Sequence, residues 1–516
     1  MVATFYVQNF GCRATQADGA SIERQFQSHG LDRASTPADA QIVVLNTCTV
    51  TASADQDARA SIRRIHRENP QARIVVTGCY AQRSPEELAA LPGVAQVIGN
   101  SHKHQLAEIA VGENLTPLAA TFPAQRAFVP LSTLSAAWGS SQRPIANDPR
   151  PIFVSDIFAH TQLLAAPVFD AANERTRPNL KVQDGCDNRC SFCVIPYVRG
   201  QSRSLPLERV LQEVNNLVAA GYRELVVSGI NLGRWGRDLG PDDSFQESVI
   251  GSRNEDVSKA AANEGHRTTV NRRPPSFEDL IRAILDHTNL EKLRISSVEP
   301  MDWSDELIAM VAGSSRIAKH AHVPMQSGSD AVLRAMHRKY RPWHYREKVE
   351  KIHAAMPKAA IGADVMVGFP GETDIQFEET RGMIDELPLT YLHVFSYSAR
   401  PGTPAAALPQ QVPARVVRER SRILHELGER KKQAFLRGFL GEVVEAITLT
   451  RRLDTAHEGR AETISTEGLT DNYLKILLSG DREPNQWVRA RVDRVDDGVL
   501  VVGHGATGRR ADRARI

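Results

Sequence analysis

The placement of six cysteines is the strongest constraint on what this 516-residue chain can fold into. Three form a C-x3-C-x2-C run, namely Cys186, Cys190 and Cys193. The other three each end a short apolar, strand-like segment, and they are Cys12, Cys48 and Cys79. Six cysteines are too few for a disulfide scaffold of this length. Their positions therefore indicate their role better than their number does.

The first hundred residues alternate between strand-like and helix-like segments. The strand-like pieces are FYVQNFGC, IVVLNTC and RIVVTGC, and Ala58, Ile62 and Ile65 mark a helical face between two of them. This alternation predicts a parallel α/β sheet, in which the loops at the carboxyl ends of neighbouring strands converge on one crevice. We therefore expect Cys12, Cys48 and Cys79 to meet there. The alternative is that each is a small buried apolar residue.

The clustered cysteines allow two interpretations. Cys190 and Cys193 have zinc-finger spacing, and a non-catalytic, zinc-bearing RNA-binding protein is one hypothesis. A structural zinc site needs a fourth ligand, however, and no His or Cys follows before His266. Iron–sulfur clusters are normally held by thiolates, and three cysteines on a four-iron cluster leave one iron open for chemistry. With three cysteines in each set, the sequence offers two such sites.

Alternation resumes after a stretch rich in Ala, Pro, Ser and Thr. Six strands are predicted near residues 179–184, 222–228, 292–298, 319–324, 360–367 and 391–397. Helices are predicted at residues 206–220, 276–288, 303–313, 329–356 and 374–387. This pattern predicts a curved or partly closed parallel β/α barrel, with the clustered cysteines just beyond its first strand, on the rim where such barrels are active. From about residue 441, short strands predict a small all-β barrel.

The run Cys186-x3-Cys190-x-Phe192-Cys193 resembles the signature of the radical S-adenosylmethionine (SAM) enzymes. In that superfamily the open iron binds the amino and carboxylate groups of SAM, which is cleaved to a 5′-deoxyadenosyl radical. The barrel prediction agrees with the partial (β/α)6 barrel of these enzymes.

Together with the three upstream cysteines, the chain resembles the methylthiotransferase family and its MtaB-like subfamily. The resemblance rests on the segments NTCTVT, VTGCYAQ and VQDGC around Cys48, Cys79 and Cys186. It implies two [4Fe-4S] clusters, an auxiliary one on Cys12, Cys48 and Cys79 and a SAM-binding one on the clustered set. One SAM would methylate sulfur on the auxiliary cluster and a second would be cleaved. Where the family has Asn and Tyr after the first cysteine, this chain has Thr15 and Ala17.

The resemblance also implies the reaction. MtaB-like proteins put a methylthio group on C2 of N6-threonylcarbamoyladenosine, immediately 3′ of the tRNA anticodon. The sister subfamilies act on isopentenyladenosine in tRNA or on an aspartate of a ribosomal protein, and both remain alternatives here. The implied partners are the tRNA anticodon loop and an external flavodoxin- or ferredoxin-like electron donor.

Contacts to SAM and RNA are expected from the same resemblance. The residues expected around SAM are Phe192, Gly229, Asn231, Ser297, Glu299 and Gln326. The C-terminal barrel resembles a TRAM domain, an RNA-binding module, and its expected RNA contacts are Arg451, Arg452 and Tyr473. The alternatives are ordinary strand-end capping and a solvated surface. His320 and His322 could chelate a metal, but we expect them to form hydrogen bonds or pack.

The predicted domains follow from these patterns. They are an N-terminal methylthiotransferase domain (1–115), a linker (116–174), a radical SAM barrel (175–405) with a disordered insertion (238–276), a connecting helix (406–440), a TRAM-like domain (441–504) and a tail (505–516).

Charge and hydrophobicity set the expected location and mode of RNA contact. Lys+Arg number 63 and Asp+Glu 61, so a highly basic coat is excluded and RNA must be met by a local patch. No apolar run approaches the length of a membrane span, and the N-terminus lacks a signal-peptide pattern. We expect a cytoplasmic enzyme with no membrane partner.

Overall fold

The computed structural model describes residues 2–112, 151–160, 163, 177–240, 273–455, 463–503 and 507–508, with the side chains of 451–455, 463–464 and 507–508 excepted. Most of the predicted linker and insertion lies outside the described residues. The chain divides into two units. The first comprises Met1–Gly11, Ile22–Thr49 and Ser53–Ile157, and the second Cys12–Ser21, Val50–Ala52 and Phe158–Ile516.

A six-stranded parallel sheet forms the first unit, as the alternating pattern predicted. Its strands are β1 (Thr4–Asn9), β2 (Asp32–Arg33), β3 (Ile42–Thr47), β4 (Arg73–Gly78), β5 (Val94–Gly99) and β6 (Ile152–Phe153). Their spatial order is β2-β1-β3-β4-β5-β6, so the order reverses between β1 and β3. In doubly wound sheets, ligands bind outside the carboxyl ends of the strands at such a reversal.

Helices cover this sheet. They are α1 (Arg13–Ser28), α2 (Ala52–Glu68), α3 (Cys79–Arg83), α4 (Pro85–Ala89) and α5 (Leu106–Val111). One core packs Val43 and Val76 against Ile62 of α2, and the other packs Val44 against Phe26 of α1. Because both faces of β3 are buried, its sequence is a continuous apolar run and not an alternating one.

The second unit contains a partial β/α barrel. Its strands are β7 (Asn179–Asp184), β8 (Arg203–Ser204), β9 (Glu224–Gly229), β10 (Lys292–Ile295), β11 (His320–His322), β12 (Ala360–Val367) and β13 (Tyr391–Ser396). β7, β9 and β10 pair in parallel, as do β11, β12 and β13. A parallel bridge between Leu293 and Ile317 links the two groups. All six predicted strands are thus confirmed, and β8, which is antiparallel to β7, is an addition.

The barrel helices are α6 (Ile195–Arg199), α7 (Leu207–Ala219), α8 (Phe277–His287), α9 (Asp305–Gly313), α10 (Asp330–Ala335), α11 (Pro342–Ala355) and α12 (Asp374–Glu386). The single helix predicted over 329–356 is wrong, because two helices occupy it. Pro342 begins the second, since proline suits the first helical turn but breaks an interior one.

A closed five-stranded β-barrel follows the long helix α13 (Ala414–Arg437). Its strands are β14 (Val443–Thr455), β15 (Thr463–Thr470), β16 (Lys475–Ser479), β17 (Trp487–Asp496) and β18 (Val499–Val502). The ring runs β14-β15-β16-β18-β17 and closes through pairing of β17 with β14. A short strand, β19 (Thr507–Gly508), pairs with β17 within the segment predicted as a tail.

Short 3-10 helices occur at Pro37–Asp39, Asn100–Gln105, Ile157–Ala159, Leu232–Arg234, Pro300–Asp302 and Pro404–Ala407. Among the described residues, no helix combines the length and apolar character needed to cross a membrane.

Candidate active site in the barrel cavity

A cavity of about 1010 Å³ occupies the second unit and is lined by all three clustered cysteines. Its wall includes residues that follow the carboxyl ends of strands, among them Asn231 after β9 and Ser297 after β10. It also includes residues at strand beginnings, such as His320 of β11 and Ala360 of β12. The cavity therefore follows the barrel interior from one end of the strands to the other.

The cysteine loop is fixed by its neighbours in the fold. Cys186 follows β7 after Gly185, whose φ is +72° and where a Cβ atom would lie 1.8 Å from the Gln201 carbonyl oxygen. Only glycine fits this turn. Further along, the Ser191 amide donates to the Met336 carbonyl at 3.1 Å, and the Ser191 hydroxyl donates to the Ala335 carbonyl at 2.7 Å.

Two of the three sulfurs accept hydrogen bonds from side chains of other elements. Asn231 Nδ2 donates to Cys186 Sγ at 3.7 Å, and Arg338 Nη1 donates to Cys190 Sγ at 3.3 Å. Burial raises the pKa of Cys186 to about 11 and that of Cys193 to about 12. A metal bound by these sulfurs must therefore displace protons from them.

All six residues predicted to surround SAM line this one cavity: Phe192, Gly229, Asn231, Ser297, Glu299 and Gln326. Gly229 has a packing reason as well, since a Cβ atom there would lie 2.8 Å from the Gln183 side-chain oxygen. Ser297 is already engaged, because its hydroxyl lies 2.6 Å from Nδ1 of His322. Glu299 is ion-paired with Arg338.

Several buried polar atoms of the wall have no hydrogen-bonding partner among the described residues. Three of them are the oxygens Ser228 Oγ, Asn231 Oδ1 and Gln326 Oε1. Buried polar atoms in native proteins are nearly always satisfied, so these three indicate a polar ligand. Gln326 has a φ of +62°, which is uncommon for a residue with a side chain and is typical of functional sites. A cofactor rich in amino, carboxylate and hydroxyl groups fits this wall, and three thiols without a disulfide fit an iron–sulfur cluster.

The other predicted cysteines are also placed at strand ends. Thr47 pairs with Gly78 in the first unit, and Cys48 and Cys79 are the next residues on those two adjacent strands, both buried. Asn100 Nδ2 donates to Cys79 Sγ at 3.6 Å. Cys12, in the second unit, is exposed and lines the cavity. Its sulfur lies 3.6 Å from the hydroxyl of Thr15, one of the two positions at which the chain departs from the family pattern.

Of the three residues predicted to contact RNA, the structure describes the side chain of one. The side chains of Arg451 and Arg452 lie outside the described residues. Tyr473 lines the cavity and is held there: its hydroxyl accepts from Arg13 Nη2 at 3.0 Å, and Arg294 lies 4.3 Å from the centre of its ring. Tyr473 is thus part of the cavity wall and not a free stacking platform.

The prediction that His320 and His322 form hydrogen bonds is confirmed. His320 Nε2 lies 2.7 Å from the Tyr391 hydroxyl, and His322 bonds to Ser297. His322, Asp364 and His393 do place one potential metal-ligand atom each within 4.8 Å of one another. Hydrogen bonding by both imidazoles holds the pKa of Asp364 below its usual range, despite burial, which acts in the opposite direction.

Three residues of the cavity wall were missed from the sequence, namely Arg13, Arg338 and His393. Arg13 and Arg338 carried no pattern beyond a charge, although Arg13 directly follows a predicted cysteine ligand. His393 belongs to an ordinary strand pattern in YLHVFS and faces the cavity only because of how β13 sits beside β12.

The barrel and its open cysteine loop define a radical SAM protein. The model of the Radical SAM superfamily matches residues 180–384, and that of the uncharacterized protein family UPF0004 matches residues 4–99.

A threonylcarbamoyladenosine tRNA methylthiotransferase, MtaB, from Bacillus subtilis is 33% identical over 93% of this chain and 92% of that protein. The Aquifex aeolicus protein of the same name is 31% identical, over 94% of this chain and 99% of that protein. A tRNA-2-methylthio-N(6)-dimethylallyladenosine synthase from Novosphingobium aromaticivorans is 31% identical, over 87% of each chain. The chain belongs to the methylthiotransferase family, in its MtaB-like branch.

Proposed function

We propose that this enzyme installs a methylthio group on C2 of N6-threonylcarbamoyladenosine next to the tRNA anticodon. One observation carries the proposal. Cys186 and Cys12 line the same cavity as Tyr473, which belongs to the C-terminal barrel. The cavity thus joins the SAM-binding loop, one cysteine of the second set and the domain that resembles an RNA-binding module.

The cofactor ligands follow from the two cysteine sets. We propose that Cys186, Cys190 and Cys193 hold a [4Fe-4S] cluster with SAM on its open iron, and that Cys12, Cys48 and Cys79 hold an auxiliary one. When bound, these groups supply the radical chemistry needed at C2, whose C–H bond is not acidic enough for a side-chain base.

The protein's own side chains hold and orient the reactants. Asn231 and Arg338 donate to cysteine sulfurs, which fixes the loop. The unpartnered oxygens of Ser228 and Gln326 are available to accept hydrogen bonds from SAM. Phe192 is partly buried against an apolar cluster that contains Met366 and Phe369, so it offers an apolar surface at the cavity edge.

The substrate must reach this cavity as an unpaired base. Anticodon-loop bases can be splayed out and read on their edges and faces, which suits a deep site. We infer that tRNA binds over the cavity mouth, that an external flavodoxin- or ferredoxin-like protein supplies electrons, and that the reaction takes place in the cytoplasm.

The decisive experiment is mass spectrometry of tRNA nucleosides from a strain that lacks the protein. We expect loss of 2-methylthio-N6-threonylcarbamoyladenosine and accumulation of its precursor, with recovery by the wild-type chain but not by Cys190→Ala. Unchanged levels of the methylthiolated nucleoside would sink the proposal. The similarity to the dimethylallyladenosine synthase makes that substrate the second candidate, and loss of its product in the same sample would select it.

Anaerobic reconstitution separates this function from a zinc-bearing binding protein. The enzyme should hold about eight irons and about eight sulfides per chain and should absorb at about 400 nm. A single zinc without that absorbance would support the binding protein instead.

A further inference from the structure

Within the described ranges of the chain, one cation of the cavity wall has no carboxylate partner. The charged side chains of the wall are Arg13, Glu299, Arg338, Asp364 and Lys432. Each of the other four side chains has a charged or hydrogen-bonding partner. Arg338 pairs with Glu299, Lys432 lies 3.9 Å from Glu429, and Asp364 lies 3.2 Å from Nδ1 of His393.

Arg13 instead donates to the neutral hydroxyl of Tyr473 at 3.0 Å. In the described part of the chain it makes no ion pair with a carboxylate, and its own carbonyl is held by Asn179 Nδ2 at 3.1 Å. The guanidinium is therefore anchored by its backbone and by a phenol, with its remaining donors directed to the cavity or to water. Such an arrangement suits an incoming anion.

The surroundings of Tyr473 strengthen the positive potential. Arg294 and Arg177 lie 4.3 Å and 5.9 Å from the centre of its ring. Although burial opposes ionisation, Arg13, Arg294 and Arg177 together lower the pKa of Tyr473. Glu224 lies close to Arg294 and 3.9 Å from Arg177, so the two arginines share one carboxylate, whereas Arg13 has none among the described residues.

The position of Tyr473 is fixed. Its φ is +63°, a conformation that a bulky residue adopts only when its surroundings impose it. Arg294 imposes it by donating to the carbonyls of Thr470 at 2.6 Å and Asp471 at 2.7 Å, and Asn472 Nδ2 donates to the Lys358 carbonyl at 2.9 Å. Arg13 therefore rests against a rigid partner, which reduces the entropy lost when a ligand binds.

We propose that Arg13, positioned by Tyr473, binds the carboxylate of the threonyl group on the substrate base and so selects an acidic N6 substituent over an apolar one. This inference rests on the proposed function. A threonylcarbamoyl group carries a carboxylate, whereas a dimethylallyl group carries no charge and offers the guanidinium nothing. Arg13 is thus the specificity-determining residue between the two substrates that the relatives' names describe.

The test compares two anticodon stem-loop RNAs that differ in one group. One carries N6-threonylcarbamoyladenosine and the other its carboxamide, in which the carboxylate is replaced by a neutral group of the same size. We expect the cluster-loaded wild-type enzyme to bind the acid about tenfold to a hundredfold more tightly, the range of a hydrogen bond to a charged group. Binding is measured by fluorescence anisotropy, and methylthiolation by mass spectrometry.

Variants test whether the preference for the acid over the amide comes from Arg13. Arg13→Ala should bring the acid-to-amide ratio close to one, Arg13→Lys should keep part of it, and Tyr473→Phe should lower it. Lys432→Ala is the matched control, since it removes a cavity cation that has a carboxylate neighbour, and its ratio should stay at the wild-type value. Iron content and the yield of 5′-deoxyadenosine check that each variant is loaded.

The outcomes separate this inference from the function on which it rests. Equal binding of acid and amide by the wild type, or a ratio that Lys432→Ala changes and Arg13→Ala does not, overturns the role of Arg13. Methylthiolation of a dimethylallyladenosine stem-loop alone overturns the proposed function itself. If Arg13→Ala does not load its clusters, Tyr473→Phe decides, and an unchanged ratio there overturns the assignment.

Discussion

Arg338 donates through Nη1 to the sulfur of Cys190 at 3.3 Å, while its Nη2 is paired with Glu299. The guanidinium is buried, which by itself lowers its pKa, but the neighbouring Tyr340, Glu299 and Cys190 together raise that pKa well above the usual value. A permanent positive charge therefore lies beside one sulfur of the cysteine loop. Since hydrogen bonds and net charge around the sulfurs set the potential of an iron–sulfur cluster, Arg338 is placed to tune it.

We predict that Arg338→Gln lowers the reduction potential of the SAM-binding cluster and slows SAM cleavage by about tenfold to a hundredfold, as for other residues that orient metal ligands. In the wild type, the positive charge of Arg338 and its hydrogen bond to Cys190 stabilise the reduced cluster, which carries the more negative charge, and the substitution removes both. A redox titration followed by electron paramagnetic resonance measures the first effect, and 5′-deoxyadenosine yield the second.

Two further variants distinguish an effect of Arg338 on the reduction potential of the cluster from an effect on packing. Arg334→Gln changes an exposed arginine on α10 and should leave the potential unchanged. In Arg338→Gln, the carboxylate of Glu299 has lost its arginine partner. Adding Glu299→Gln removes that carboxylate, so the double variant should recover stability but not the reduction potential of the cluster. A wild-type potential in Arg338→Gln would mean that this arginine serves only to neutralise Glu299.

The two cysteine sets should fail in different ways. Cys190→Ala should abolish both SAM cleavage and methylthiolation, because it removes a proposed ligand of the SAM-binding cluster. Cys48→Ala should abolish methylthiolation but retain SAM cleavage at near wild-type rates. Both activities are measured in one anaerobic assay, with iron per chain falling to about half in each variant. Loss of SAM cleavage in Cys48→Ala would argue against separate roles.

Much of the fold follows from the local sequence. The apolar runs of β3 and β4 and the helix start at Pro206 are local signals, and parallel strands then place their carboxyl ends on one rim. This is why five of the six residues expected around SAM, which are polar or glycine residues following strand ends, line one cavity, and Phe192 joins them as part of the cysteine loop. The topology, and not their separate chemistry, made them predictable.

The rest depends on contacts between distant segments. Arg13 and Tyr473 are 460 residues apart, and Arg338 reaches a sulfur 148 residues away. No periodicity marks such pairs. Tyr473 was expected to contact RNA because the C-terminal barrel resembles a TRAM domain, whereas its packing against Arg294 depends on how two domains of the second unit meet.

A buried charge network should be essential for stability. Asp18 and Asp184 face Lys181 and Arg199, with Arg199 lying 3.0 Å from Asp18 and 2.9 Å from Asp184. Lys181 contacts both carboxylates. Two negative and two positive side chains balance, so Asp18→Asn leaves a buried positive charge uncompensated. We predict a loss of about 3–5 kcal/mol.

Urea denaturation followed by tryptophan fluorescence measures that loss. Asp374→Asn is the control, because Asp374 also pairs with an arginine, Arg420 at 2.7 Å, but its side chain is 94% exposed. Exposed pairs contribute about 0–1 kcal/mol, so this variant should change little. Equal losses for the two variants would contradict a special role for burial.

The start of α8 supplies a pH-dependent prediction. The Asp279 amide donates to Ser276 Oγ at 3.3 Å, and the Asp279 carboxylate accepts from the Ser276 amide at 2.9 Å, which forms a capping box. Although burial acts in the opposite direction, the Ser276 amide and Arg273 lower the pKa of Asp279. A lowered folded-state pKa means that the charged cap stabilises the helix above the ordinary Asp pKa of about 4 and that this contribution is lost as the pH falls through the lower folded-state value.

Hydrogen exchange of the α8 amides should therefore report the cap directly. At pH 7, Asp279→Asn and Ser276→Ala should each weaken protection by about 1 kcal/mol, and the difference between Asp279→Asn and wild type should shrink as the pH falls below about 4. Asp286→Asn makes the same change in the last turn of the same helix, where a carboxylate faces the negative end of the helix dipole, and it should not weaken protection. If the Asp279→Asn difference instead stayed constant down to the lowest pH, the carboxylate charge would not be what stabilises the cap.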